Sequence, residues 1–217
     1  MTNWTKLFGA TAASALLLTG CSQNITGTAV TAVAGAGDIS AAGGDEAQCT
    51  TVDAPLDDIP SEDDSEPLLR IPVPDGWERN SMMDSEIIRY TIVSTDLISN
   101  DFAPNAVVTL ESVRGIEAPE DVFKENRANL ENGLGAFDLK PVSNTTCGLP
   151  SETTHYVAPP MGPAPERPII MHAVVAEDRG STFLATLTIQ TTNPTDPRYV
   201  ADSQEIIDGF QMLVPGS

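Results

Sequence analysis

Positive charge is scarce in this chain: 11 Lys and Arg stand against 31 Asp and Glu over 217 residues, a formal net charge of −20. The field of so acidic a surface repels nucleic acid and anionic phosphate surfaces. Screening at physiological salt confines that repulsion to about 8 Å, so such partners are disfavoured rather than forbidden. Apolar runs of spanning length are missing as well. The stretch Leu7 to Leu18 falls short of the roughly 20 residues a transmembrane helix needs. Histidine occurs only at 155 and 172, both within predicted strands, where each reads as a packed or edge residue. The chain has no G-x-S-x-G elbow, no H-E-x-x-H and no Gly-rich phosphate loop. Ser181 follows Gly180 in a predicted turn, and that context alone makes no nucleophile. No catalytic centre, metal site or cofactor is expected.

Cysteine is nearly as rare, at three. Ahead of the first lie a short polar start with Lys6, the apolar run, and the small residues Thr19 and Gly20, which together make a secretory signal peptide over residues 1–20. Leu18-Thr19-Gly20-Cys21 resembles the bacterial lipobox, in which the cysteine thiol receives a diacylglyceryl group and becomes the first residue after cleavage. Acyl chains contribute ~0.8 kcal/mol per buried methylene, so two or more anchor stably. Cys21 is therefore expected to attach the protein to the extracytoplasmic face of the cell membrane. Loss of residues 1–20 removes Lys6 and no acid, leaving 10 − 31 = −21.

Residues 22–48 hold no aromatic residue, no Lys and no Arg, and cannot bury enough apolar surface to offset their ordering entropy. They read as a flexible tether with a reach of ~30 Å as a coil and ~95 Å stretched. The remaining cysteines, Cys49 and Cys147, would sit in a disulfide-permissive compartment, where an even pair is more often bridged than free. The alternative is two buried thiols. Residues 49–217 are expected to form one domain. Its lead-in, 49–67, includes seven acids and no base between Asp53 and Glu66. The D-x-[DN]-x-[DN]-G calcium spacing is absent there, so the lead-in reads as solvated and weakly structured.

From residue 68 the pattern takes the period of strands. "LLRIPV" (68–73) is a short strand stopped by Pro74-Asp75-Gly76, with Trp77 folding back as a core cap. "IIRYTIV" (87–93) turns Ile88, Tyr90 and Ile92 to one face, and "NAVVTLESV" (105–113) does so with Ala106, Val108 and Leu110. Residues 119–133 form a helix with Pro119 in its first turn, Gly133 at its stop, and a stripe of Val122, Phe123, Leu130 and Leu134. "AFDLKPV" (136–142) and "SETTHYVA" (151–158) are shorter strands flanking "TTCGLP". "PIIMHAVVAE" (168–177) and "TFLATLTIQ" (182–190) alternate and join in a hairpin through Asp178 and Gly180. A closing helix has Asp196 as N-cap, Pro197 at its first position, and Tyr199, Ile206, Ile207 and Phe210 on its apolar side. The order βββ-α-ββββ-α predicts an α+β fold, a largely antiparallel sheet of about six to seven strands covered by helices.

The lipobox, the tether, "IPVPDGWE", "CGLPSETTHYV", "TFLATLTIQTT" and "SQEIIDGFQML", taken in this order and spacing, resemble the LpqN/LpqT family of mycobacterial and related actinobacterial lipoproteins from about Leu68 to Leu213. The resemblance implies a PsbP-like α/β/α sandwich and an envelope accessory protein with no recognised catalytic motif. It also implies a link, through some members, to binding or trafficking of trehalose mycolate lipids. The acidic lead-in and the Cys49/Cys147 pair lie outside the family pattern. Two functions fit. In one, an envelope glycolipid is bound in a cleft lined by Trp77, Met82, Met83 and Met161, residues that would serve equally as core or loop. In the other, an envelope transport protein docks on the connector "APPMGPAPERP" (158–168), whose five prolines favour a stiff polyproline-like projection or simply make a linker.

Overall fold

The structure, a computed structural model, describes residues 48–214; Cys21, the signal-peptide reading and all of the tether but Gln48 lie outside the described residues. Twelve elements follow in order: β1 (Leu56–Ile59), β2 (Leu68–Pro72), β3 (Glu78–Arg79), β4 (Ile88–Val93), β5 (Asn105–Arg114), α1 (Pro119–Leu134), β6 (Phe137–Thr146), β7 (Leu149–Ala158), β8 (Arg167–Asp178), β9 (Ser181–Gln190), α2 (Pro197–Asp208) and β10 (Gln211–Leu213). Seven strands make one antiparallel sheet in the order β3-β4-β5-β9-β8-β7-β6, and β1-β2-β10 make a second, smaller one.

Alternation assembles the larger sheet. Successive side chains of a strand point to opposite faces. Ala106, Val108 and Leu110 of β5 therefore share a face with Ala185, Leu187 and Ile189 of β9 and with Val174 and Ala176 of β8, all in one buried cluster. Tyr199 and Ile206 of α2 and Leu69 and Ile71 of β2 close this inner face. On the outer face, Leu130 of α1 packs with Tyr156 and Ala158 of β7 and Ile169 and Met171 of β8. Each face thus carries a helix, which is the expected α+β sandwich. Asp196 caps α2 as expected, its Oδ1 accepting from the Arg198 and Tyr199 amides at 2.9 and 3.2 Å.

Several boundaries differ from the sequence expectation. "TTCGLP" is the tip of one long hairpin rather than a connection between short strands. Thr146 pairs with Leu149 around Cys147 (φ 50°) and Gly148 (φ 82°), the two positive-φ residues that a type I′ turn requires. The β8–β9 hairpin uses the same device at Arg179 (φ 48°) and Gly180 (φ 81°). Helix α1 runs past Gly133 and stops at Gly135, φ 69°, which leaves Leu134 half exposed instead of in the stripe. The acidic lead-in contributes β1, which pairs with β2, and Tyr90 Oη donates to its Asp57 at 2.6 Å.

Strand β6 is one edge of the large sheet, unpaired on its outer side among the described residues, and that side is blunted. Thr146 and Leu149 close a two-residue hairpin and so form a hydrogen-bonded pair. Alternate pairs along β6 then leave Pro141, opposite Thr154, with its ring nitrogen turned outward. A proline at that position removes a donor from the exposed edge and disfavours strand addition.

Candidate functional site

The inner face changes character toward the β6 edge. Pairing sets Val142 opposite Thr153 opposite His172, and Lys140 opposite His155 opposite Ile170, so these six share a face. Helix α2 lies over them without filling the space. Two cavities of about 320 and 380 Å³ result, and they share His155, Ile170 and Gln204. They are two halves of one groove, of the size that small-molecule sites take, ~300–1,000 Å³.

The halves differ chemically. The half under the C-terminal end of α2 is lined by Asn144, Thr146, Thr153, His172, Gln204 and Asp208, with no Lys or Arg among its lining residues. The half toward the N-terminal end of α2 is lined by Val157, Pro168, Ile170, Pro194, Tyr199 and Val200, with Asp138 and Lys140 at its side. Hydroxyl, amide and imidazole groups are therefore concentrated at one end, mixed there with Val142, Ile170, Ile207 and Phe210, whereas the other end is mainly apolar.

His172, buried in the polar half, is held by an ordered chain of hydrogen bonds. Asn144 Nδ2 donates to Thr153 Oγ1 at 2.8 Å, and Thr146 Oγ1 donates to Ser151 Oγ at 3.0 Å. The single proton of Thr146 is thereby used. His172 Nε2, 2.7 Å away, donates to it, while Nδ1 accepts from Thr153 Oγ1 at 2.8 Å. A neutral ring satisfies both contacts. Burial, offset in part by the Asp208 carboxylate, pushes the His172 pKa down to about 4. Phe210 meets the ring edge-on, centroids 6.4 Å apart. This histidine is a packed floor residue, as expected of it, and His155 is exposed where the two halves meet.

The expected Cys49–Cys147 bridge is present, and Cys147 and Thr50 line the polar end. The four residues expected to line a cleft do not gather, and the groove is built without them. Trp77 is buried in the main core, its Nε1 donating to Asp202 at 2.8 Å. Met82 is 90% exposed and Met83 59% exposed on the β3–β4 loop, and Met161 is half exposed beyond β7. None of the four borders either cavity. The connector at 158–168 is not a polyproline projection throughout. Met161 and Ala164 exchange backbone hydrogen bonds of 2.9 and 3.0 Å around Gly162 and Pro163, a closed turn. The groove residues had a signal in sequence: Thr, Asn and His on one face of strands whose neighbours in the sheet are apolar there.

Among the described residues no cluster of three His, Cys, Asp or Glu could hold a metal ion, and no helix is long and apolar enough to cross a membrane. Comparison with known proteins gives one family match, to the model of the probable lipoprotein LpqN over residues 56–213. The crystal structure of Mycobacterium tuberculosis LpqN, described as involved in cell envelope biogenesis, superposes with a TM-score of 0.59 at 19% identity, covering 73% of this chain and 91% of that one. A Pseudomonas aeruginosa protein of unknown function, PA94, gives a TM-score of 0.44 at 19% identity over 70% of this chain and 99% of that one. No curated protein sequence matches.

Proposed function

This chain belongs to the family of the probable lipoprotein LpqN, and from that premise we propose that it is a lipid-anchored, non-catalytic accessory protein of the cell envelope that binds an uncharged glycolipid in the groove beneath α2. Cys21 is its anchor, on the extracytoplasmic face of the membrane. The observation that carries this reading is the graded polarity of the groove, with hydroxyls, amides and an imidazole set among apolar residues at one end and a mainly apolar lining at the other. A sugar ester such as a trehalose mycolate has the same division.

Charge narrows the class further. The polar half holds Asp208 and faces the C-terminal end of α2, where the helix dipole presents partial negative charge. His172 is neutral there at physiological pH. A phosphate headgroup would be desolvated beside negative charge with no cation to pair it, which disfavours it strongly. A sugar meets hydroxyl, amide and imidazole partners instead.

The test is native mass spectrometry of the exported full chain offered a mixture of a trehalose monoester and an anionic phospholipid. The expected result is a retained mass of the sugar ester, lost in Ile170→Asp, which places a charge where the two halves meet. Retention of the phospholipid, or a bare protein mass alone, contradicts the proposal.

A further inference from the structure

The polar end of the groove is closed by a short segment of backbone that the bridge holds in place. Cys49 is tied to Cys147 at the tip of the β6–β7 hairpin. Thr50, next in the chain, lines the polar half. Val52 then lies directly on Gly209 just beyond α2, where an added Cβ would come within 2.5 Å of its methyl carbon. The Ala54 amide donates to Glu205 Oε1 on α2 at 2.7 Å, and the Pro55 carbonyl accepts from the Val73 amide at 2.9 Å. Residues 49–55 therefore run from the floor of the groove to its roof and join the two at one end.

We infer that this segment is a strap that walls the polar end of the groove, and that the Cys49–Cys147 bridge sets how long a bound ligand stays. The inference rests on the groove being the binding site. With the strap fixed, a ligand leaves only along the apolar end, headgroup last. Cutting the bridge opens a second exit beside the headgroup. A dithiol reductant does this by two exchanges: its first thiolate breaks the Cys49–Cys147 bond to give a mixed disulfide, its second displaces the protein sulfur, and the reductant ends as its own cyclic disulfide with both cysteines as thiols. The hairpin keeps its own hydrogen bonds, so the loss is confined to the strap and to the last turn of α2, which the strap touches at Glu205 and Gly209.

The experiment uses the full chain carrying Cys21→Ser, oxidised or reduced and alkylated, with a fluorescent octyl maltoside as the probe. Stopped-flow dissociation is read beside hydrogen exchange. The expected result is dissociation about tenfold faster from the reduced protein, a change in off-rate of the kind interface edits produce. Exchange should rise in 49–55 and in the last turn of α2 while β5 and β9 stay protected. The variant Glu205→Ala, which leaves the bridge intact and removes the Ala54 contact, should move both readouts in the same direction by less. Faster exchange in the strap with an unchanged dissociation rate overturns the inference. If neither form binds the probe, the groove reading is what fails for this ligand class. Exchange at the Ala54 amide, which is bonded to Glu205, then decides the strap: raised on reduction, it shows that the bridge holds the segment closed, and unchanged, it refutes that.

Discussion

Beneath β5 and β9 the inner face of the large sheet is dry, with Ala106, Val108, Ala185, Leu187 and Ile189 each fully buried. Two and three strands beyond β9, on β7 and β6, the same face carries Thr153, His155, Asn144 and Thr146 and stands open to a groove. Both regions are built from antiparallel hairpins with the same period and the same pairing rules. What separates them is the cover. The small sheet β1-β2-β10 and the buried side of α2 fill the space over the centre, whereas over β6 and β7 α2 presents one side, from Val200 and Gln204 to Ile207 and Asp208, and leaves the space beneath it open. Period fixes where a side chain points, and a second layer decides whether that direction is core or site.

The contrast can be broken most sharply at its dry end. Leu187→Ala removes a fully buried side chain with little room to collapse, and should destabilise by about 3–4 kcal/mol, read by chemical denaturation. A loss below ~1 kcal/mol would mean that the centre is as loosely covered as the groove.

Nearly as large an effect is expected from pH at the polar end. The His172 pKa lies at about 4 in the folded chain against an ordinary 6.5. Folding therefore favours the neutral ring. The contribution is fully present above pH ~6.5 and is lost progressively as pH falls to ~4, by about 3 kcal/mol in total. Below that the ring is protonated in both states and nothing further is lost. The stability difference between wild type and His172→Phe, measured from pH 7 to 4, should shrink by that amount. A difference independent of pH would refute the neutral buried ring.

A smaller effect tests the roof of the groove. Asp196→Ala removes the cap of α2 and should lower stability by about 1 kcal/mol, with faster hydrogen exchange in the first turn of that helix and no change in α1. The smallest is expected at the mouth, where Val142 is 56% exposed. Val142→Ala should change stability by less than ~0.5 kcal/mol while still weakening probe binding, which separates a site residue from a core residue on the same face.

These differences also explain what could be read from the chain alone. Strand β5 was legible because it alternates with one face buried, β8 and β9 because long runs of β-branched and apolar residues bounded by a turn at Arg179-Gly180 mark strands buried on both faces, and α2 because Asp196 and Pro197 mark its start. The ends of β6 and β7 were not, because a two-residue turn at Cys147-Gly148 breaks no pattern: the alternation simply changes direction. β1 was hidden by its acids. Of its four residues only Ile59 is buried, and the strand owes its place to pairing with β2, a non-local contact that no local period records. The polar residues of the groove left a trace in the sequence, but the groove itself did not, because the cover that makes it is non-local too. Met82 and Met83 drew attention as apolar residues near loops, but an apolar side chain on a loop tip is as readily left in solvent, which is where these two lie.

The most direct test of the groove is a two-dimensional NMR titration of the full chain carrying Cys21→Ser with octyl maltoside, following assigned amides and methyls. The account predicts shifts at Thr153, Ile170, His172 and Gln204, with Ala106 and Leu187 unmoved. Shifts confined to the Met82–Met83 loop, or none at any of these positions, would contradict it.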